Sequence, residues 1–257
     1  MTVELIEPSN IAEALAKLTS LSQLSQKHPY TEFIFRGQQS NEWKLNTSYD
    51  RYWAGRPLHD EFFVKRMVAQ FRSGVSRLGL STSLGSDQLA WLEYARHHGL
   101  PAPLLDFSWS PFVALFFAFD GVRGGQEPPQ NAAVYALNLR QLAKEMARRK
   151  SADMVLHDFT AFSSAMDDFL YHGASRLKRE FPKDELLFIR YPNAHTRRMH
   201  AQLGVFLYST ISFGCGAAEP SNLEEFLDKI QEGFDSPCLP NERSPVLIKM
   251  KLPYSWV

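Results

Sequence analysis

Hydrophobic side chains crowd the segment from Glu32 to Gln38, and a period of two divides it into two faces. Phe33 and Phe35 fall on one face and Ile34 and Arg36 on the other, which predicts a strand. The turn-rich QSNE that follows makes Trp43 to Asn46 its expected hairpin partner. Helical spacing governs other stretches. Ser9 and Asn10 can cap a helix through IAEALAKLTSLSQL, with Glu13 placed for a capping box. Leu58 to Leu78 carries Phe62, Met67 and Phe71 near one stripe. Ser86 or Asp87 starts a helix through Gln88, Leu92 and His98 that Gly99 and Pro101 end. Leu104 to Phe107 reads as a short buried strand. Ser110 before Pro111 then opens a helix to Asp120.

Beyond the VRGGQEPPQN loop the pattern predicts a strand at Ala132 to Leu139 and a basic helix, RQLAKEMARRK. A helical insertion is expected around 140–182, centred on Phe159 to Tyr171. Strands are expected at Glu185 to Tyr191, Val205 to Tyr208 and Pro245 to Leu252. Helices are expected at Asn193 to Leu203 and after a Ser221 cap. No repeat or linker divides the chain. The reading is α+β: one domain with a central mixed or antiparallel sheet flanked by helices, residues 1–31 forming an N-terminal helix ahead of 32–257.

Composition narrows the partners. The 28 basic residues balance 28 acidic ones, which argues against a surface built throughout for nucleic acid or anionic membrane and leaves room for a local basic cleft. Cys215 and Cys238 form no CxxC pair, so no metal knuckle is expected, and a reduced, cytoplasmic chain is the simplest reading. The N-terminus is neither signal peptide nor anchor in character. The apolar run Phe112 to Phe119 is too short to span a bilayer, so no membrane partner is expected.

Two segments concentrate orientable polar groups beside apolar bulk: EFIFRGQQSNEWKLNTSYDR and EYARHHGLPAPLLDFSWSPFVALFFAF. Arg36 can grip a phosphate or carboxylate with its planar fork, or pair structurally with a carboxylate such as Asp106. Gly37 lets backbone approach a ligand closely, and Gln38 shares the face of Arg36. Thr47, Ser48 and Arg51 suit phosphate oxygens, or equally a helix cap and a surface charge. His97 and His98 are adjacent, so they cannot share a metal as an i, i+4 pair does. His98, in phase with Trp91, Tyr94 and Ala95, is expected to face inward. Asp106 inside an apolar strand needs a partner, Arg36 or a histidine. Ser108 and Ser110 flank Trp109, and one of them caps the next helix. Arg198 and Gln202 share a helical face that is either functional or solvated.

The block FIFRGQ with Trp43, Leu45, Thr47, Ser48 and Arg51 is the first of three. The second is A-x-H-H-G-L-P running into Leu104, Leu105 and Asp106. The third is R-x-x-A-Q-x-G-x-F from Arg198 to Phe206, with a closing K-x-x-L-P at Lys249 to Pro253. Over about 32–253 the chain therefore resembles the FRG domain family. It departs at Ala102 and Pro103, where relatives carry Thr-Arg, and at Phe107, where they carry tryptophan. More distantly, the order of FRG, FSWSPFVALFFA and AQLGVF is similar to ADP-ribosyltransferases. That resemblance implies an ADP-ribosyltransferase-like fold with NAD as substrate and no metal. In it Arg36 would hold the NAD diphosphate or nicotinamide ribose, Ser108 would orient Arg36 and the nicotinamide side, and Gln202 would stand where a catalytic glutamate is expected. An amide cannot stabilise an oxocarbenium ion as a carboxylate does, which leaves Glu93 or Asp106 as substitutes. The implied roles are an NAD-using transferase or glycohydrolase, a toxin or anti-phage effector acting on protein or nucleic acid, or a non-catalytic module that senses a nucleotide, a nucleic acid or a protein.

Overall fold

A computed structural model describes residues 3–27, 33–53, 63–79, 84–120, 130–142, 187–190, 201–209, 222–225, 227 and 245–256. Over these the fold is mixed α+β. One sheet contains β1 (Val3–Ile6), β2 (Phe33–Gln38), β3 (Leu104–Ser108), β4 (Asn131–Asn138), β5 (Leu187–Arg190), β6 (Gly204–Ser209) and β7 (Leu247–Pro253), in the order β1-β7-β4-β2-β3-β6-β5. The β1–β7 pair is parallel, and the other neighbours are antiparallel. The helices are α1 (Ile11–Lys27), α2 (Ser48–Trp53), α3 (Phe63–Arg77), α4 (Gln88–His97) and α5 (Pro111–Phe119). No helix among the described residues is long and apolar enough to cross a membrane.

Period-two alternation divides β2 as its sequence implies. Phe33 and Phe35 pack with Val134, Ala136 and Ile248 beneath α1 and α5. Ile34 packs on the opposite face with Leu105, Phe107, Tyr135 and Leu137. A third apolar cluster fills the space between α3, α4 and the β3–β6 end of the sheet, through Met67, Val68, Trp91, Leu104 and Phe206. Sealing a ring such as Phe35, 1% exposed, contributes about 2 kcal/mol, so these clusters hold the layers together.

Helix starts follow local chemistry. Asn10 Oδ1 accepts from Glu13 N at 2.9 Å, and the Glu13 carboxylate accepts from Ser9 N at 2.8 Å. Asp87 caps α4 by accepting from Leu89 N and Ala90 N, and Ser110 caps α5 by accepting from Val113 N.

Several expectations need correcting. Trp43 to Asn46 is not a strand: the partners of β2 are β4, over six residue pairs, and β3, at Phe35, and residues 43–46 follow as irregular backbone. The N-terminal segment holds a strand as well as a helix, because β1 is completed by β7 from the far end of the chain. Asn222, rather than Ser221, caps the helical residues 223–225, accepting from Glu225 N at 3.0 Å. The helix expected within 58–78 is described from Phe63. The insertion is described only at helical residues 139–142, and the Asn193 to Leu203 helix only at its last turn. Phe159 to Tyr171, Arg198, Cys215 and Cys238 lie outside the described residues.

Candidate functional site

The sheet opens at its centre. β2 runs beside β4 over six consecutive residue pairs, but it meets β3 at one pair only, Phe35 with Ser108. Beyond that pair the strands part. A cleft of about 960 Å³ lies there, walled by the end of β2, by β3, by α4 and α5, and by the loop after β2.

Of the residues singled out in the sequence, Arg36, Gly37, Gln38, Arg51, His97, Asp106, Ser108 and Gln202 line this cleft. Arg36 Nη1 donates to the Asp106 main-chain carbonyl at 2.6 Å, and the Asp106 carboxylate stands 3.8 Å from the same nitrogen. The closer partner of that carboxylate is Arg96 of α4, Nη2 to Oδ2 at 2.9 Å. Asp106 is also less buried than its strand implies, with 41% of its side chain exposed to the cleft side of β3. Arg51 reaches in from α2 and donates to the Asn46 carbonyl at 2.7 Å.

Three guanidiniums thus gather around Asp106, and the Asp50 carboxylate also acts on Arg51. Burial pushes the Arg36 guanidinium below its ordinary value. Asp106 opposes that shift, and Arg51 and Arg96 add to it. Burial and then Arg96 lower Arg51 in the same way. Arginine keeps its charge through such shifts, so the mutual repulsion is available to be relieved by an anion. Two of the guanidinium nitrogens, Arg36 Nε and Arg96 Nε, are buried without a hydrogen-bond partner in the protein.

The loop behind the cleft is firmly held. The Leu45 side chain enters the core, and its carbonyl accepts from Leu223 N at 3.2 Å. Lys44 pairs with Glu225 at 2.9 Å, and the Tyr135 hydroxyl donates to the Trp43 carbonyl at 3.3 Å. Burial, with the Glu224 carboxylate next in weight, pushes the Tyr135 phenol above its ordinary value and keeps it a neutral donor. Trp43 itself is half exposed, and it lines the cleft together with Phe117 of α5.

Four expectations are placed differently by the structure. His98, not His97, turns away from the cleft: it is the exposed C-cap of α4, its ring 4.7 Å from Tyr94 and 5.7 Å from Phe71. His97 takes the inner position, 6.3 Å from the Phe206 ring. Thr47 and Ser48 do not reach the cleft. The Thr47 hydroxyl donates to Asp50 Oδ2 at 2.6 Å in the cap of α2, and the Ser48 hydroxyl exchanges hydrogen bonds with the Ala102 backbone.

Gly37 is required by α5 before any ligand. A Cβ there would lie 1.8 Å from the Ala114 carbonyl oxygen and 2.6 Å from Ala118 N. Ser108 does not orient Arg36. Its hydroxyl donates to the Gln202 carbonyl at 2.7 Å and accepts from Ser110 N at 3.0 Å. That bond, together with Trp109 N donating to the Leu203 carbonyl, clamps a turn in which Leu203 adopts φ 46°. A leucine in the left-handed region is strained, and here it fixes the approach of Gln202 to the cleft.

Of the two carboxylates weighed as substitutes for Gln202, Asp106 lines the cleft, whereas Glu93 is wholly buried on α4 and outside the lining. Arg96 and Asn46 escaped the sequence reading. Arg96 adjoins the histidine pair, but nothing local says which of three consecutive α4 residues faces β3. Asn46 falls between the residues that carry the W-x-L-x-T-S pattern. Among the described residues no group of three His, Cys, Asp or Glu side chains could hold a metal ion.

No curated protein and no solved structure matches the chain. A family model does match, that of the FRG domain, over residues 31–126. That span contains Arg36, Arg51, Arg96 and Asp106, the charged framework of the cleft. With the Phe35–Arg36–Gly37 triplet at its central strand, the chain carries an FRG domain over residues 31–126.

Proposed function

We propose that the cleft binds a nucleotide through its phosphates, with NAD or a molecule sharing its ribose–diphosphate unit as the ligand. The observation that carries this reading is the convergence of Arg36, Arg51 and Arg96 around Asp106. Three guanidiniums set against Asp106, with Asp50 beside Arg51, give the cleft a positive wall that a diphosphate can meet with charge-assisted hydrogen bonds. Trp43 and Phe117 supply flat apolar surface for a base or a nicotinamide ring.

A second reading adds turnover, as an ADP-ribosyltransferase-like or NAD glycohydrolase-like effector acting on water, protein or nucleic acid. The exposure of the Asp106 carboxylate beside Arg36 favours it. In that reaction the bond between nicotinamide nitrogen and ribose C1′ breaks, and nicotinamide leaves with the electron pair. The carboxylate offsets the positive charge that develops on the ribose, and a nucleophile closes on C1′. Without turnover the same cleft serves a sensor.

Incubation of the full chain with NAD, followed by calorimetry and mass spectrometry, separates these readings. Binding should fall at least about tenfold in Arg36→Ala with the melting temperature retained, since a bidentate charged contact is lost. Nicotinamide release that disappears in Asp106→Asn while NAD still binds identifies an enzyme, and binding with NAD intact identifies a sensor. A wild-type chain that binds neither NAD nor ADP overturns the nucleotide reading.

A further inference from the structure

The cleft holds buried acceptors as well as buried donors without protein partners, and the two kinds demand different ligand chemistry. Arg36 Nε and Arg96 Nε are donors that call for oxygen acceptors such as phosphate. Gln38 Oε1 and Asn46 Oδ1 are acceptors and call for a hydrogen-bond donor. Gln38 is only 6% exposed, so its unpaired oxygen carries the full cost of desolvation until a ligand donor meets it. Its Nε2 reaches the Lys44 carbonyl at 3.5 Å, and Oε1 is left without a protein partner.

The two acceptors are interleaved with the cations. Gln38 lies two residues from Arg36 on β2 and therefore on the same face. Asn46 accepts from Arg51 through its main-chain carbonyl at 2.7 Å, and the residue lines the same cleft. A ligand that supplies acceptors alone, such as inorganic pyrophosphate, leaves Gln38 and Asn46 unsatisfied.

Building on the nucleotide reading, we infer that Gln38 and Asn46 are specificity-determining residues that accept hydrogen bonds from the sugar hydroxyls next to the diphosphate, and so select a ribose diphosphate over inorganic polyphosphate. A site built to pair with a hydroxyl rejects an analogue lacking it, because the protein acceptor then stays buried and bare.

The test is calorimetry on the full chain with ADP, 2′,3′-dideoxy-ADP and inorganic pyrophosphate. Wild type should bind ADP about tenfold more tightly than the dideoxy analogue, the loss expected for a buried acceptor left unpaired. Gln38→Met, which keeps length and removes the acceptor, should weaken ADP by about the same factor and leave pyrophosphate within about twofold; Asn46→Ala should act in the same direction. Equal affinity of wild type for ADP and its dideoxy analogue overturns the inference, and that comparison needs no variant to fold. Equal losses for ADP and pyrophosphate in folded Gln38→Met overturn it too. In both cases phosphate binding through the arginines survives. A wild-type chain that binds none of the three probes brings down the nucleotide reading itself, and this inference with it.

Discussion

At the residue scale the site depends on what a glycine lacks. The sequence shows Gly37 after Arg36 and suggests close approach, but not of what. In the fold the approaching group is the backbone of α5, with the Ala114 carbonyl where a Cβ would stand. Backbone cannot swing aside like the end of a flexible side chain, so Gly37→Ala must push α5 off β2 or distort the strand. A loss of about 3 kcal/mol is expected from overpacking of this kind, read as a lower urea midpoint at unchanged m-value. Wild-type stability in that variant would show that the helix does not press on the strand. Arg36 and Asp106 were legible as charges in an apolar strand that required an answer. That the nearest cation to Asp106 is Arg96, at 2.9 Å, was not legible, since the pairing depends on how α4 is rotated over β3.

At the scale of elements, capping chemistry was the most readable feature. Asn10, Asp87 and Ser110 begin α1, α4 and α5, because each hydrogen bond closes within four residues and needs nothing from the rest of the chain. The α1 cap has a pH signature. Hydrogen bonds from the Ser9 hydroxyl and then the Ser9 N–H hold the Glu13 carboxyl below its ordinary 4.5. A carboxylate lowered on folding favours the folded state above its unfolded value, and that advantage is lost as pH falls through the lowered one. Thermal melts followed by circular dichroism should therefore show a smaller drop below pH 4.5 in Glu13→Gln than in wild type. Identical acid profiles would mean the cap carries no charge-dependent stability. The failure at Trp43 to Asn46 has the opposite origin: strand formation there depended on pairing with β2, whose partners β4 and β3 come from farther along the chain.

At the scale of the whole molecule, the balance of 28 basic and 28 acidic residues conceals a local imbalance. Arg36 and Arg51 come from one region of the sequence and Arg96 from another, and the fold gathers them around Asp106. A field from three clustered cations is screened by salt, since the Debye length shrinks from about 10 Å at 0.1 M to about 3 Å at 1 M. Pyrophosphate binding should therefore weaken by roughly tenfold between low and high salt, at a pH where arginine stays charged. Titration at two salt concentrations checks this, and an affinity indifferent to salt would argue that the cluster does not do the holding. Neither the gathering nor the β1–β7 pairing could be read along the chain: residues 3–6 find their partners at 247–250, a separation no local pattern encodes.

Period and capping in the amino-acid sequence were enough to determine the α+β class, most strands and helices, the two faces of β2 and the polar residues worth watching. Each of these is settled by neighbours a few positions away. Only the tertiary structure decided that β2 and β3 part after a single pair, that His97 rather than His98 turns inward, and that the Ser48 hydroxyl is taken by the distant Ala102 backbone. Only it showed that unpaired donors and acceptors face one opening. Those outcomes depend on the rotation of helices over the sheet and on the competition of distant groups for the same hydrogen bonds, which is settled when the layers pack.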